Sequence, residues 1–294
     1  MRRPPSLQKG DTIYLLSTAR SVSKTDIQPF VVWLNSQGFS IKYGNTIGPA
    51  HHQFAGDDKC RTEDFRRALN DERVKAIWCM RGGYGTVRMI DQLKEEEIEK
   101  ANKWLLGFSD VTCMHGLFQN TGLESIHAPM GTLFTSTNIK AFEQVLNLLK
   151  GSFNTVLVEP HLLSNISGLK GRVFGGNLSM LYSMQGSRYM PVPSEENSIL
   201  FIEEIDEYLY HIDRMLWALR NSKWLQQFSA IAVGGMTDMN DHSIPFGWQA
   251  EEIITSHAEA LDLPVLFGVQ SGHIHNNMPI LLGGYNEFIT KQKA

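Results

Sequence analysis

The chain has 294 residues, of which 42% are hydrophobic and 20% charged, with a net charge of −4. That is enough for a substantial core in one large domain or two ordinary ones. The mild acidity argues against a nucleic-acid partner. Cys60, Cys79 and Cys113 are odd in number and lack metal-ligand spacing, so a disulfide scaffold is not expected and a reducing compartment is. No apolar run approaches the ~18 residues of a membrane span, and Ile13–Leu16 is too short for a signal-peptide core. The expectation is a cytoplasmic protein with no membrane partner.

In chain order, Asp11–Ser17 reads as a buried strand, and 26–36 has helical spacing with Phe30, Val31 and Leu34 on one side and Gly38 at its end. Phe39–Tyr43 alternates as a strand, and 62–69 opens with a capping residue and two acids, as a helix start. Val74–Met80 is a strand followed at once by Arg81-Gly-Gly-Tyr-Gly85 and by helical spacing from Thr86 to Leu93. Trp104–Gly107 repeats the pattern: a strand, a turn carrying Ser109, then a helix from Cys113. A further helix covers 142–150. Residues 151–171 lack a clear period and read as a connection between an N-terminal unit, 1–150, and a C-terminal unit, 172–294. In the latter, Ser198–Ile202, Phe228–Val233, Leu263–Gly268 and Pro279–Leu282 read as strands, and Tyr210–Leu219 as a helix. Strands alternating with helices predict an α/β fold: an N-terminal parallel sheet with helices on both faces, plus a smaller C-terminal α/β domain. The glycine-rich turn and the Ser109 turn both follow strand carboxyl ends, where ligand crevices of such sheets lie.

Three stretches could carry chemistry beside Ser109. A serine in a strand-to-helix turn suits a nucleophile flanked by free amides, although Ser and Asp also simply cap helices. Arg81-Gly-Gly-Tyr-Gly85 lacks the spacing of a phosphate loop. It is either a plain tight turn or a source of an oxyanion-binding amide, with that of Gly83 as the candidate. Glu203-Glu-Ile-Asp-Glu207 places four acids at a strand end, either as a solvated face or as a site. In Gly272-His-Ile-His-Asn-Asn277, His273 and His275 would share one face of a strand, where with nearby acids they could ligate zinc; His51-His52 reads as surface. Arg81 and Arg214 are the candidates for gripping an anionic substrate group, with structural ion pairing as the plainer reading.

The chain order Ser109, Glu203, His273 is that of the α/β-hydrolases, but Gly107-Phe-Ser-Asp-Val111 lacks the second glycine of their elbow. Taken together, Met80-Arg-Gly-Gly-Tyr-Gly85, Gly107-Phe-Ser-Asp-Val-Thr112, Phe174-Gly-Gly-Asn-Leu178, Phe201-Ile-Glu-Glu204 with Tyr210–Leu216, and Gly272-His273 resemble the LD-carboxypeptidase family of serine peptidases. That family includes muramoyltetrapeptide carboxypeptidases and microcin-immunity peptidases, and the likeness runs from Gly10 to Gly283. It implies a catalytic triad of Ser109, Glu203 and His273, an oxyanion hole from the Gly83 and Asp110 amides, and no metal or other cofactor. It also implies a murein tetrapeptide substrate cut before its terminal D-alanine in peptidoglycan recycling, and commonly a homodimer. Ile126-His-Ala-Pro-Met130, where the family usually has His-Gly-Pro, and the flanks of His273 depart from the commoner pattern and bear on substrate identity. A peptidase acting on peptidyl- or aminoacyl-nucleotides, a metal-dependent hydrolase and a non-catalytic binding protein are the rival readings.

Overall fold

The computed structural model describes residues 1–193 and 197–291. The first half alternates strand and helix: β1 (Thr12–Leu16), α1 (Gln28–Ser36), β2 (Ser40–Tyr43), α2 (Asp58–Asn70), β3 (Val74–Cys79), α3 (Val87–Ile90), α4 (Glu95–Ala101), β4 (Trp104–Gly107), α5 (Thr112–Asn120), β5 (Ser125–His127) and α6 (Ile139–Leu149). The second half continues with β6 (Asn154–Val158), β7 (Gly168–Asn177), α7 (Leu178–Ser183), β8 (Ser198–Ile205), α8 (Leu209–Asn221), β9 (Ala230–Thr237), α9 (Ala250–Glu259), β10 (Val265–Leu266), β11 (Ile280–Leu282) and β12 (Tyr285–Thr290).

Hydrogen bonding joins these strands in the order β10-β9-β8-β7-β11-β5-β4-β3-β1-β2, with β12 bonded to β6 and β7. Strands β2, β1, β3, β4 and β5 are parallel to one another, as are β7, β8, β9 and β10. β11 runs parallel to β7 but antiparallel to β5. The two parallel halves therefore point in opposite directions and meet at one short antiparallel seam.

Strand alternation decides which side chains meet which helices. From β1, β3 and β4, Ile13, Leu15, Ala76, Trp78, Trp104 and Leu106 pack with α1 and α6. Their neighbours Tyr14, Leu16, Ile77, Cys79 and Leu105 face the opposite layer with α2 and α5. In the second half, Leu200, Ile202, Ile231 and Val233 pack with α7, α8 and α9. The other face, with Ile199, Phe201 and Ala232, is covered by β6, β11 and β12 rather than by helices.

Several expectations shift. Helix α2 begins a turn before Thr62, because the Asp57 carboxylate accepts the Cys60 N–H at 2.7 Å and caps it there. The helical spacing read over Thr86–Leu93 shrinks to the single turn of α3, and a separate helix, α4, follows outside it, held at its start by Glu97 accepting the Lys94 N–H at 2.9 Å. Residues 151–171, read as a connection, hold β6 and the start of β7. α9 and β12 carried no reading from the pattern.

Trp78 is fully buried, edge-on to Phe30 at 4.8 Å, and donates its indole N–H to the Pro129 carbonyl at 2.9 Å. Trp78→Ala removes both the packing and that bond. The expected loss is about 3–5 kcal/mol in urea unfolding.

Candidate active site

Ser109 stands where the chain leaves β4 and enters a 3₁₀ turn, Ser109–Val111, that feeds into α5. Its φ of +59° lies in the left-handed region, which costs a non-glycine residue on the order of 1–3 kcal/mol. Gly107 makes the turn possible, since a Cβ there would lie within 3.1 Å of Val111 and Cys79. Behind the turn, His115 bridges the Gly107 carbonyl at 2.9 Å and the Ser125 hydroxyl at 2.8 Å, tying β4 to β5. Burial pushes the pKa of His115 down to about 4, so it serves there as a neutral ring.

The glycine-rich turn lies against this one. Gly82 faces the Ser109 Cβ, which a Cβ on the glycine would meet at 3.5 Å. Asp110 locks the two turns together: its carboxylate accepts the Thr86 N–H at 2.8 Å, at the start of α3. Burial raises the Asp110 pKa, against the bonds from Thr86, which lower it. The backbone N–H groups of Gly83 and Asp110 meet no acceptor among the described residues, and Gly83 adopts φ +110°. These are the two amides expected as oxyanion donors. The carboxylate of Asp110, a bridge between turns, was not anticipated, although an acid just after the serine is the signal that could have revealed it.

Glu203 and His273 come from the second half. Glu203 lies inside β8, short of its end, and is wholly buried; His273 Nδ1 meets its Oε2 at 2.6 Å. The His273 N–H also points at that oxygen, at 3.3 Å. Burial alone would lower the His273 pKa, but the Glu203 carboxylate outweighs it and the net shift is upward. The register of β8 against β9 slips beside Glu203, where Gly234 and Gly235 insert an extra residue. A Cβ on Gly234 would meet the Ser271 carbonyl at 2.5 Å, and one on Gly272, at φ +105°, would meet Glu203 Cβ at 2.7 Å. Three glycines thus let the histidine loop close onto the carboxylate.

The halves touch at the site itself. The His273 ring lies 4.7 Å from that of Phe108, the residue before Ser109. His127 packs between Phe108 and Phe201 at 5.5 Å and 5.1 Å. Asn177 donates its N–H to the Thr112 hydroxyl at 3.1 Å. Ser109 Oγ makes no hydrogen bond among the described residues; the structure brings Glu203 and His273 into contact and lays the His273 ring against that of Phe108, the residue before Ser109.

Other expected residues fall elsewhere. His275 is not on a strand with His273; its Nδ1 meets the Ser136 carbonyl at 2.8 Å. Among the described residues no three His, Cys, Asp or Glu side chains converge as a metal site. Arg81 donates to the Ser21 carbonyl at 2.9 Å, and Arg214 lies over the Tyr210 ring at 5.2 Å; neither forms an ion pair among the described residues. Glu204 faces away from Glu203 and accepts from Asn177 Nδ2 at 2.7 Å and the Ser179 N–H at 2.6 Å, which fastens α7 to β8. Burial, reinforced by the Glu203 charge, pushes its pKa up to about 7.

Residues 13–128 match the LD-carboxypeptidase N-terminal domain, and 170–287 the LD-carboxypeptidase C-terminal domain. A probable murein peptide carboxypeptidase of Bacillus subtilis (strain 168) is 30% identical over 99% of this chain and 93% of its own. The chain belongs to the LD-carboxypeptidase family. It is accordingly a serine-type carboxypeptidase. The crystal structure of a muramoyltetrapeptide carboxypeptidase from Oxalobacter formigenes superposes with a TM-score of 0.83 at 25% identity, covering 95% of each chain. The microcin C7 self-immunity protein MccF, in complex with aspartyl sulfamoyl adenosine, shares the fold with a TM-score of 0.82 at 22% identity, covering 98% of each chain. No helix among the described residues of this LD-carboxypeptidase family member is long and apolar enough to cross a membrane.

The upward shift of His273 has a cause that can be removed. In a histidine NMR titration the wild-type ring should titrate above the ordinary 6.5, and in Glu203→Gln below it, because burial, the largest influence, is then opposed only by the weaker pull of the Glu204 charge. A ring that titrates at the same pH in both proteins would mean that the carboxylate is not what holds the proton.

Proposed function

We propose that the chain is an LD-carboxypeptidase that removes the terminal D-alanine of murein tetrapeptides, using Ser109 as nucleophile, His273 as base and Glu203 as the group that orients it. The observation that carries this reading is the buried Glu203–His273 pair at 2.6 Å, its imidazole tilted against the ring of Phe108, the residue preceding a strained serine.

With Nδ1 held by Glu203, the other ring nitrogen, Nε2, is the one that takes the Ser109 proton as Oγ attacks the last peptide carbonyl. The amides of Gly83 and Asp110 receive the oxyanion; each such donor is worth on the order of 10²–10³ in rate. His273 then passes its proton to the leaving amine as the C–N bond breaks. Water, deprotonated by the same ring, hydrolyses the ester on Ser109. The base must be neutral to act, so kcat/KM should rise with pH through a His273 pKa above 6.5 and be lost below it.

The names of the B. subtilis relative and of the O. formigenes enzyme support murein peptide as substrate. A second reading has one observation in its favour. Tyr208, His242 and Tyr210 stack on one another at 4.5 and 5.3 Å between rings, and both tyrosines are exposed, offering a flat aromatic face for a nucleobase.

The deciding assay is D-alanine release from L-Ala-γ-D-Glu-meso-diaminopimelate-D-Ala. Wild type should release it with or without EDTA, and Ser109→Ala should lose on the order of 10⁶ in kcat. Release that EDTA abolishes and the alanine variant keeps would overturn the serine mechanism. Inertness toward the tetrapeptide together with hydrolysis of an aminoacyl-nucleotide would move the reading to the second substrate class.

A further inference from the structure

A carboxypeptidase has to recognise a chain end, and the group that marks the end is a carboxylate. A cation or a set of amides that pairs with it belongs about one residue away from the scissile carbonyl, a span of about 3.8 Å between consecutive Cα atoms. Of the cations expected for this task, Arg81 is turned onto the Ser21 carbonyl and Arg214 onto the Tyr210 ring. Arg61 is buried with its donors spent on the Thr18 and Gly85 carbonyls and on Asp58.

Arg20 differs from all three. It lies beyond the carboxyl end of β1, the strand next to β3, which carries the glycine-rich turn. Its main chain is held in place: its N–H donates to the Gly82 carbonyl at 3.3 Å, and its carbonyl accepts the Ser17 hydroxyl at 2.6 Å. Its side chain lies across Gly83, where an added Cβ would sit 2.6 Å from Arg20 Cδ and 2.7 Å from Nε. Its charge acts on the Asp110 carboxylate, the residue after the serine. Yet the guanidinium makes no hydrogen bond, ion pair or ring contact among the described residues, and the residue is exposed. A fixed backbone, a stem laid against the Cα of Gly83, the residue whose amide is one proposed oxyanion donor, and an unspent five-donor fork form a receptor for a planar anion.

We infer that Arg20 is the specificity residue of this carboxypeptidase, its guanidinium binding the free carboxylate of the substrate's last residue. The inference rests on the serine-carboxypeptidase reading above and supplies the end-recognition that reading lacks. It also accounts for glycine at 83, since any side chain there would displace the arginine stem.

The test compares the tetrapeptide with its C-terminal amide, which has the same shape without the charge. In the wild type, kcat/KM should favour the acid by about 10- to 100-fold, the strength of a charge-assisted pair. Arg20→Gln should erase that preference by slowing the acid while leaving the amide unchanged, and Arg20→Lys should recover part of it. Equal losses on both substrates, or none on the acid, would overturn the inference. Binding to Ser109→Ala and to Ser109→Ala/Arg20→Gln, measured by calorimetry with both peptides, needs no turnover. Arg20-dependent preference for the acid in a protein whose wild type cleaves no tetrapeptide would sustain the carboxylate site and overturn the proposed reaction. Equal binding of acid and amide by Ser109→Ala, or binding of neither, would overturn the site.

Discussion

Burying a carboxylate costs several kcal/mol unless a partner meets it, and Glu203 has no exposed surface at all. Its partner arrives on a loop seventy residues later, so the surrounding backbone has to bring that loop within 2.6 Å. That single requirement accounts for much of the local architecture. The slip between β8 and β9, the missing side chains at 234, 235 and 272, and the left-handed turn at Gly272 all clear space for the approach. The return is a ring whose free nitrogen is more basic than an isolated imidazole, which is what a proton acceptor near neutrality needs.

The same economy holds on the serine side. One carboxylate, that of Asp110, fixes the distance between the Ser109 turn and the glycine-rich turn, so that the Gly83 and Asp110 amides, in two different turns, stay in register with each other. Neither turn is a site alone. The rings of Phe108, His127 and Phe201 then form the wall through which the two halves contact one another.

Local chemistry makes most of this legible in the sequence. The β3 and β4 turns announce themselves because an apolar run breaks into glycine or serine and helical spacing resumes. Glu203 is readable beside a strand end and His273 by its type, and their pairing follows from chain order and family resemblance; what joins them in space is a register slip at two glycines, which no spacing in the chain announces. The zinc reading of His273 and His275 assumed a strand; the segment bends instead, and the two rings part company. Arg20 was invisible for a related reason. A lone arginine after a short polar stretch has no pattern, and its position over Gly83 depends on two parallel strands lying side by side. Strand β6 and helix α9 were missed because weak periodicity in an edge strand and in a short amphipathic segment is outweighed by flanking polar residues.

The antiparallel seam has a consequence for how the enzyme comes into being. His127 on β5 pairs with Ile280 on β11, a partner more than half the chain away. Contacts of such sequence separation are entropically slow to close, so they form late. The serine-bearing half can gather around its own helices while the remainder is still being synthesised. His273, the proposed base, is recruited only as that seam zips up. Under the proposed mechanism, catalytic competence is thereby tied to the closing of that seam, and a chain in which it has not closed holds Ser109 without His273 to activate it.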